Sequence, residues 1–333
     1  MSDSVSIARR AGRSLRHPSQ EIVVLLVTVA IVAVFAATLD GFATLGNLLT
    51  LARNVSILGI LALAMAVVII GRGLDLSIVA TLVASSAAVL AVLEAGHGLV
   101  PALAAGLAVA VIVGAINGVI IAFLDVPPLF ATLAMTFLIG GLTRILSGKL
   151  NVYPPADAQG FLMLGQARIL GVPAPILFFA AMALIVHLML GRTVIGRFIY
   201  AYGDNGLTAR LSGISVRPLV VGKYMLSAAI AFVAGVVLTS STSSLNLRFV
   251  ESTLIFDVIL VVVLGGVSLV GGRGSVASVL VGTALIGTLL NGLTILNFSN
   301  LAQDIIKGLV LLGAIVVDNR LHPRDEETAK QGD

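Results

Sequence analysis

An all-α, polytopic membrane protein with about ten transmembrane helices is the fold class this sequence predicts. Three observations carry that expectation. The chain has 333 residues, of which 58% are hydrophobic and 11% charged, whereas about a quarter of a soluble domain is charged. Its apolar residues gather into roughly ten runs, each near the length of about 20 residues that a bilayer-crossing helix needs. Most of the Lys and Arg fall between those runs. The net charge of +4 therefore belongs to loops beside spans and does not point to nucleic acid. Cysteine is absent, which excludes thiolate metal and redox sites and suits an oxidising compartment. Trp is absent too, so interface anchoring rests on a few Tyr, Phe and Arg.

In chain order, residues 1–20 form a polar, basic tail with Arg9, Arg10, Arg13 and Arg16. The apolar run at 22–39 is long for a cleaved signal and more spans follow, so it reads as an uncleaved signal-anchor. Further spans are expected at 55–70, 78–93, 99–124, 129–146, 174–190, 219–238, 254–270, 276–296 and 301–317. The membrane domain is thus 21–318, followed by a polar tail at 319–333. Ten spans place both ends on one side. With the N-terminus in the cytosol, fourteen Lys and Arg lie inside and five outside, with Lys307 in the last span. Positive charge is held on the cytoplasmic face, so both termini and the loop at 196–218 are expected in the cytosol. The loop at 148–172 is expected outside.

A faint internal echo suggests two related halves. Gly71-Arg72-Gly73 and Gly272-Arg273-Gly274 each lead into a span, and Asn117-Gly118 and Asn291-Gly292 each lie within one.

The stretch 200–218 is a polar island between apolar segments. Asp204 or Asn205 can cap a helix start, and Gly213 can stop it. Between them Leu207, Leu211 and Ile214 fall at i, i+4 and i+7 on one face, beside Arg197, Arg210 and Arg217. Pro218 reads as the first residue of the next span. Such a stripe either folds back on its own protein or presses against a partner.

No catalytic constellation is present. His17, His97, His187 and His322 are scattered, and no paired acids, Ser–His pair or metal spacing lies in the spans. Gly266-x4-Gly271 is followed by Gly272-Arg273, where a phosphate-binding loop requires Lys and Ser or Thr, so the chain has no P-loop of its own. Charges within apolar runs usually face protein or a polar path. Asp257 lies in such a run, and Asp304 and Lys307 are spaced to pair with each other. Asp75 can cap the following span. Asn117 and Asn291 can bond between helices, and Gly114-x3-Gly118 allows close helix approach. Asp75, Asn117, Asp257 and Asn291 are accordingly the candidates for a translocation path or its gating, each weighed against a packing or capping role.

Several segments together resemble the permease subunits of ribose-type ABC importers. They are Gly-Leu-Asp-Leu-Ser at 73–77, Val-Pro-Pro-Leu-Phe-Ala-Thr-Leu at 126–133, Gly-Arg-Phe-Ile-Tyr-Ala-Tyr-Gly-Asp-Asn at 196–205, Ala-Arg-Leu-Ser-Gly-Ile-Ser-Val at 209–216 and Leu-Gly-Gly-Val-Ser-Leu-Val-Gly-Gly-Arg-Gly-Ser at 264–275. The resemblance implies an inner-membrane permease that pairs with a second permease copy, two cytosolic ATPase subunits and a periplasmic solute-binding protein. Its cargo would be a monosaccharide or similar small polar solute, its pairing with the second permease a homo- or heterodimer, and its surroundings membrane lipid. It binds no cofactor, ATP being held by the partner subunit. It also implies that residues 204–213, with Asp204, Asn205, Leu207, Arg210, Leu211, Gly213 and Ile214, are the coupling helix seated in the ATPase. Two departures stand out: Arg72 occupies a place where glycine is usual, and 254–263 keeps Asp257 as its one acid. A polyol is an alternative cargo. A passive channel would not need an apolar cytosolic helix, and an ion-coupled transporter would need more acids at mid-membrane.

Overall fold

A computed structural model describes residues 20–321. The basic tail with its four arginines, His17, and the residues from His322 onward lie outside the described residues. Thirteen α-helices make up most of the described chain. They are α1 (Gln20–Thr38), α2 (Leu45–Ile70), α3 (Ile78–Glu94), α4 (Leu99–Phe123), α5 (Pro128–Ser147), α6 (Gln159–Gln166) and α7 (Ala174–Arg192), then α8 (Val194–Asp204), α9 (Gly206–Leu211), α10 (Val216–Thr242), α11 (Leu254–Gly265), α12 (Val276–Ile295) and α13 (Asn300–Leu321). Seven of them, α1, α2, α4, α5, α7, α10 and α12, are long and apolar enough to cross a membrane, and α3 and α11 are shorter apolar helices.

The longest helices, α2 and α10, form the centre. Their apolar windows are 78% and 67% buried, against 11% for α1 and 28% for α4, α5 and α7. Bilayer-facing helices can leave Leu, Val and Phe uncovered because lipid is as apolar as they are. The exposed side chains of α5, such as Phe130, Phe137 and Ile145, fit that setting. α4 and α10 share the most extensive contact between two helices. A Cβ on Gly114 would lie 2.5 Å from the Tyr224 carbonyl oxygen, and one on Gly118 would lie 2.5 Å from Val221 Cα. Glycine at both positions is therefore what lets these helices touch backbone to backbone.

Several boundaries differ from the sequence reading, each for a local reason. The span expected at 254–270 stops at Gly265, because Gly266 takes φ +103° and turns the chain into a loop. The helix expected from residue 219 begins at Val216, which puts Pro218 in its third position rather than its first. First-turn amides have no intrahelical partner, so proline is tolerated there. The polar island at 200–218 starts inside α8, a helix that buries Gly196, Ile199 and Gly203. The loop at 148–172 is partly ordered. It carries β1 (Asn151–Val152), α6, β2 (Arg168–Ile169) and β3 (Val172–Pro173). Leu170 and Gly171 at its tip both have φ > 0, as a two-residue hairpin turn requires. β1 pairs antiparallel with β4 (Leu245–Asn246), through Asn151↔Asn246 and Val152↔Leu245.

The internal echo does not survive as a repeat of both features. Asn117 lies on α4, the second helix after its Gly-Arg-Gly, whereas Asn291 lies on α12, the first after its own. The two Gly-Arg-Gly loops nevertheless meet, since the Gly272 amide donates to the Ile70 carbonyl at 2.8 Å. Ser275 and Ser278 form a capping box at the start of α12, and both hydroxyls donate to Glu21 of α1 at 2.6 Å.

Candidate functional site

Between α2 and α3 the chain breaks from helix for seven residues, and the break lies inside the bundle. Backbone groups freed in such a place have to be satisfied by the protein, and neighbouring helices do so here. The Tyr224 hydroxyl on α10 donates to the Leu74 carbonyl at 3.3 Å. On α5, the Thr132 hydroxyl accepts from the Leu76 amide at 3.1 Å, and the Thr136 hydroxyl donates to the Leu76 carbonyl at 3.1 Å. The Lys223 ammonium donates to the Gly71 carbonyl at the end of α2. Arg72, the residue after that glycine, takes φ +59°, a region where glycine is the least strained residue.

Asp75 sits in the middle of this break and is 2% exposed. Its carboxylate accepts from the Ser77 amide at 3.0 Å, the Ser77 hydroxyl at 2.6 Å and the Ser227 hydroxyl at 3.2 Å. The Asn117 side-chain amide on α4 donates to the Ser77 hydroxyl at 2.8 Å, while its carbonyl oxygen is buried with no partner. Capping of α3 by Asp75, the expected role, is replaced by a turn. The one backbone amide its carboxylate accepts from is that of Ser77, which itself precedes the first helical residue. Asn117 does bond between helices as expected.

The other two path candidates lie elsewhere. Asn291 on α12 exchanges reciprocal hydrogen bonds with Asn47 on α2, at 3.0 and 3.1 Å. Asp257 on α11 accepts an ion pair from Lys307 of α13 at 2.9 Å, and Lys307 also pairs with Asp304 at 2.8 Å. The expected Asp304–Lys307 pair is thus present, with Asp257 as its third member. The four candidates form three separate clusters.

The stretch expected to couple to a partner sits directly behind the break. α8 is capped by Thr193 and α9 by Asn205, whose side-chain oxygen accepts from the Thr208 amide at 2.9 Å. Asp204, the alternative cap, instead ends α8. Gly213 takes φ +85° just past α9, as a helix stop does. Leu207 and Leu211 are 54% and 80% exposed on this six-residue helix. Ile214 lies beyond its end and is half-buried, so the stripe reduces to two leucines, with Arg210 also exposed. Behind α9, Gly203 packs against the Ile70 carbonyl and Tyr200 donates to the Gly274 carbonyl at 2.8 Å.

A permease family model described as "Branched-chain amino acid transport system / permease component" matches residues 47–315. The chain belongs to this family. The permease is 35% identical over 319 residues to the Ribose import permease protein RbsC of Escherichia coli (strain K12), covering 95% of this chain and 98% of that one. With RbsC of Bacillus subtilis (strain 168) it shares 36% identity over 274 residues, 82% and 85% of the two chains. With the L-arabinose transport system permease protein AraH of Escherichia coli (strain K12) it shares 33% over 296 residues, 88% and 89%. No solved structure matches it. It is a multi-pass inner-membrane permease component of an ABC importer, a transport subunit rather than an enzyme. The resemblance read from the sequence is borne out.

Sequence reasoning missed Lys223, Tyr224 and Ser227 as parts of one assembly. The fourteen inside charges expected from the sequence include Lys223 beside the loop at 196–218, but it is 3% exposed inside α10. Without it the inside count is thirteen, still well above the five outside. A signal was available: a lysine more than a turn past the start of an apolar helix, with a serine four residues on, places both on one face.

Proposed function

We propose that this permease carries a monosaccharide or similar small polar solute and is driven by a separate ATPase through α9. The relatives' names support the cargo class, two being ribose import permeases and one an L-arabinose permease. One observation carries the coupling: α9 exposes Leu207 and Leu211, while the end of α8 one residue before it is seated on the end of α2 and on the loop at 267–274. A short capped helix that offers leucines outward, on a chain with no nucleotide loop, is built to receive force by contact. In this reading ten spans run with both termini cytosolic, α3, α11 and α13 joining the seven long apolar helices. A second copy, a pair of ATPases and a periplasmic solute-binding protein complete the importer.

Burying a Leu fully contributes roughly 1.5–3 kcal/mol, less what association costs. Leu211→Asp removes that contact and places a carboxylate against the partner. The variant is expected in the membrane at normal level, co-purifying poorly with the co-expressed ATPase and without ATP-dependent uptake. Normal assembly and uptake in Leu211→Asp would refute coupling through α9. Uptake without the ATPase would favour a passive channel.

A further inference from the structure

We infer that Lys223 is the positioning residue that ties the ATPase-facing element to the break between α2 and α3; this deepens the proposed coupling through α9 and rests on it. Lys223 is buried in α10, and among the described residues it makes no ion pair with a carboxylate. Its ammonium is held by three things that belong to different elements. It donates to the Gly71 carbonyl at the C-terminal end of α2, where the last carbonyls lack intrahelical partners and the helix dipole favours a cation. It lies 5.2 Å from the ring centroid of Tyr202 on α8 and 5.4 Å from that of Tyr224 on its own helix, within reach of a cation–π attraction.

The connections continue on both sides. Tyr202 adjoins Gly203, which packs against the Ile70 carbonyl, and α9 follows α8 after the single residue Asn205. One turn along α10 from Lys223, Ser227 holds the Asp75 carboxylate. A displacement of α8 therefore alters the surroundings of Lys223, and through α10 it reaches Asp75. A neutral donor would satisfy the Gly71 carbonyl at a smaller desolvation cost. The ammonium adds attractions to a ring of α8 and to a helix end, and both depend on those elements keeping their places.

The test uses the full chain assembled with its ATPase and solute-binding protein and reconstituted in vesicles, with labelled ribose moved per ATP hydrolysed as the readout. Lys223→Met keeps the unbranched stem, one atom short, and removes the donor and charge. It is expected to assemble and hydrolyse ATP while the solute-to-ATP ratio falls about tenfold or more, within the usual range of coupling between two sites. Lys223→Gln, which still donates to Gly71, is expected to recover part of that ratio. Tyr202→Leu is expected to lower it as well, and the double variant with Lys223→Met to be no worse than the more impaired single one, as for groups in one contact. An unchanged ratio in Lys223→Met overturns the inference. So does a Lys223→Met that falls apart together with a Lys223→Gln or Tyr202→Leu that assembles and couples normally, since Lys223 would then serve stability alone. Leu211→Asp reports separately on α9: normal assembly and uptake in that variant overturn the coupling reading and the inference with it, whereas a Leu211→Asp that fails to assemble beside a Lys223→Met of unchanged ratio overturns the role of Lys223 alone.

Discussion

Gly114→Ala should loosen the α4–α10 contact and, with it, the grip on the helix break. The added methyl would lie 2.5 Å from the Tyr224 carbonyl oxygen, 2.7 Å from Met225 Cα and 2.9 Å from Ala228 Cβ. Carbon atoms in ordinary contact sit about 3.5–4.0 Å apart, so α10 has to retreat by about 1 Å. Overpacking of this kind costs about 1–3 kcal/mol. The same retreat stretches the Ser227–Asp75 and Tyr224–Leu74 bonds, now 3.2 and 3.3 Å, past hydrogen-bonding range, at about 0.5–1.5 kcal/mol each. Against this stands a helix-propensity gain of about 1 kcal/mol for Gly to Ala. The balance is a destabilisation of about 1–5 kcal/mol. Gly222→Ala is the matched control, because a Cβ there meets nothing within 4 Å, so only the propensity gain remains. Thermal unfolding of the two purified variants in one detergent gives the comparison, and uptake should fall in Gly114→Ala alone. Equal unfolding midpoints would refute the reasoning from close packing.

Lys307→Met should destabilise more than Asp257→Asn. The first leaves Asp257 and Asp304 facing each other without a cation, whereas the second leaves the Lys307–Asp304 pair intact; unfolding midpoints in the reverse order would sink this. Asp257→Asn should still insert and assemble but reduce uptake if Asp257 acts in gating, and wild-type uptake would make it an interface residue. Asn205→Ala removes the cap of α9 and should cost that helix about 0.5–2 kcal/mol, read as weaker co-purification with the ATPase and unchanged membrane level. Reporters inserted near Leu207 and Gln159 should label from opposite sides, the first cytosolic; labelling from one side would end the ten-span reading.

The class of fold was legible because lipid imposes it: long apolar runs and basic loops leave few alternatives. Helix ends were less so. Gly266 and Pro218 each permit two endings of a helix, and packing against neighbours chooses between them. The cap at Asn205 and the stop at Gly213 were readable locally, since a side-chain oxygen and a positive φ act within a few residues. The Asp75 assembly was not, because Ser227, Tyr224 and Lys223 lie about 150 residues away along the chain and nothing in a period or motif brings them to it. Lys223 misled for a further reason: counting charge by position treats every lysine near a span end as solvated.

The β1–β4 pairing is only two residues long, yet it splices the segment after α5 to the segment after α10. The Leu247 amide extends it by donating to the Leu150 carbonyl at 2.8 Å. The Thr132 and Thr136 end of α5 and the Lys223 end of α10 clasp the break at one pole, while this splice fastens the same two helices at the other. α5 and α10 scarcely touch along their lengths, so the splice and the break are the two places where a movement of one helix is handed to the other.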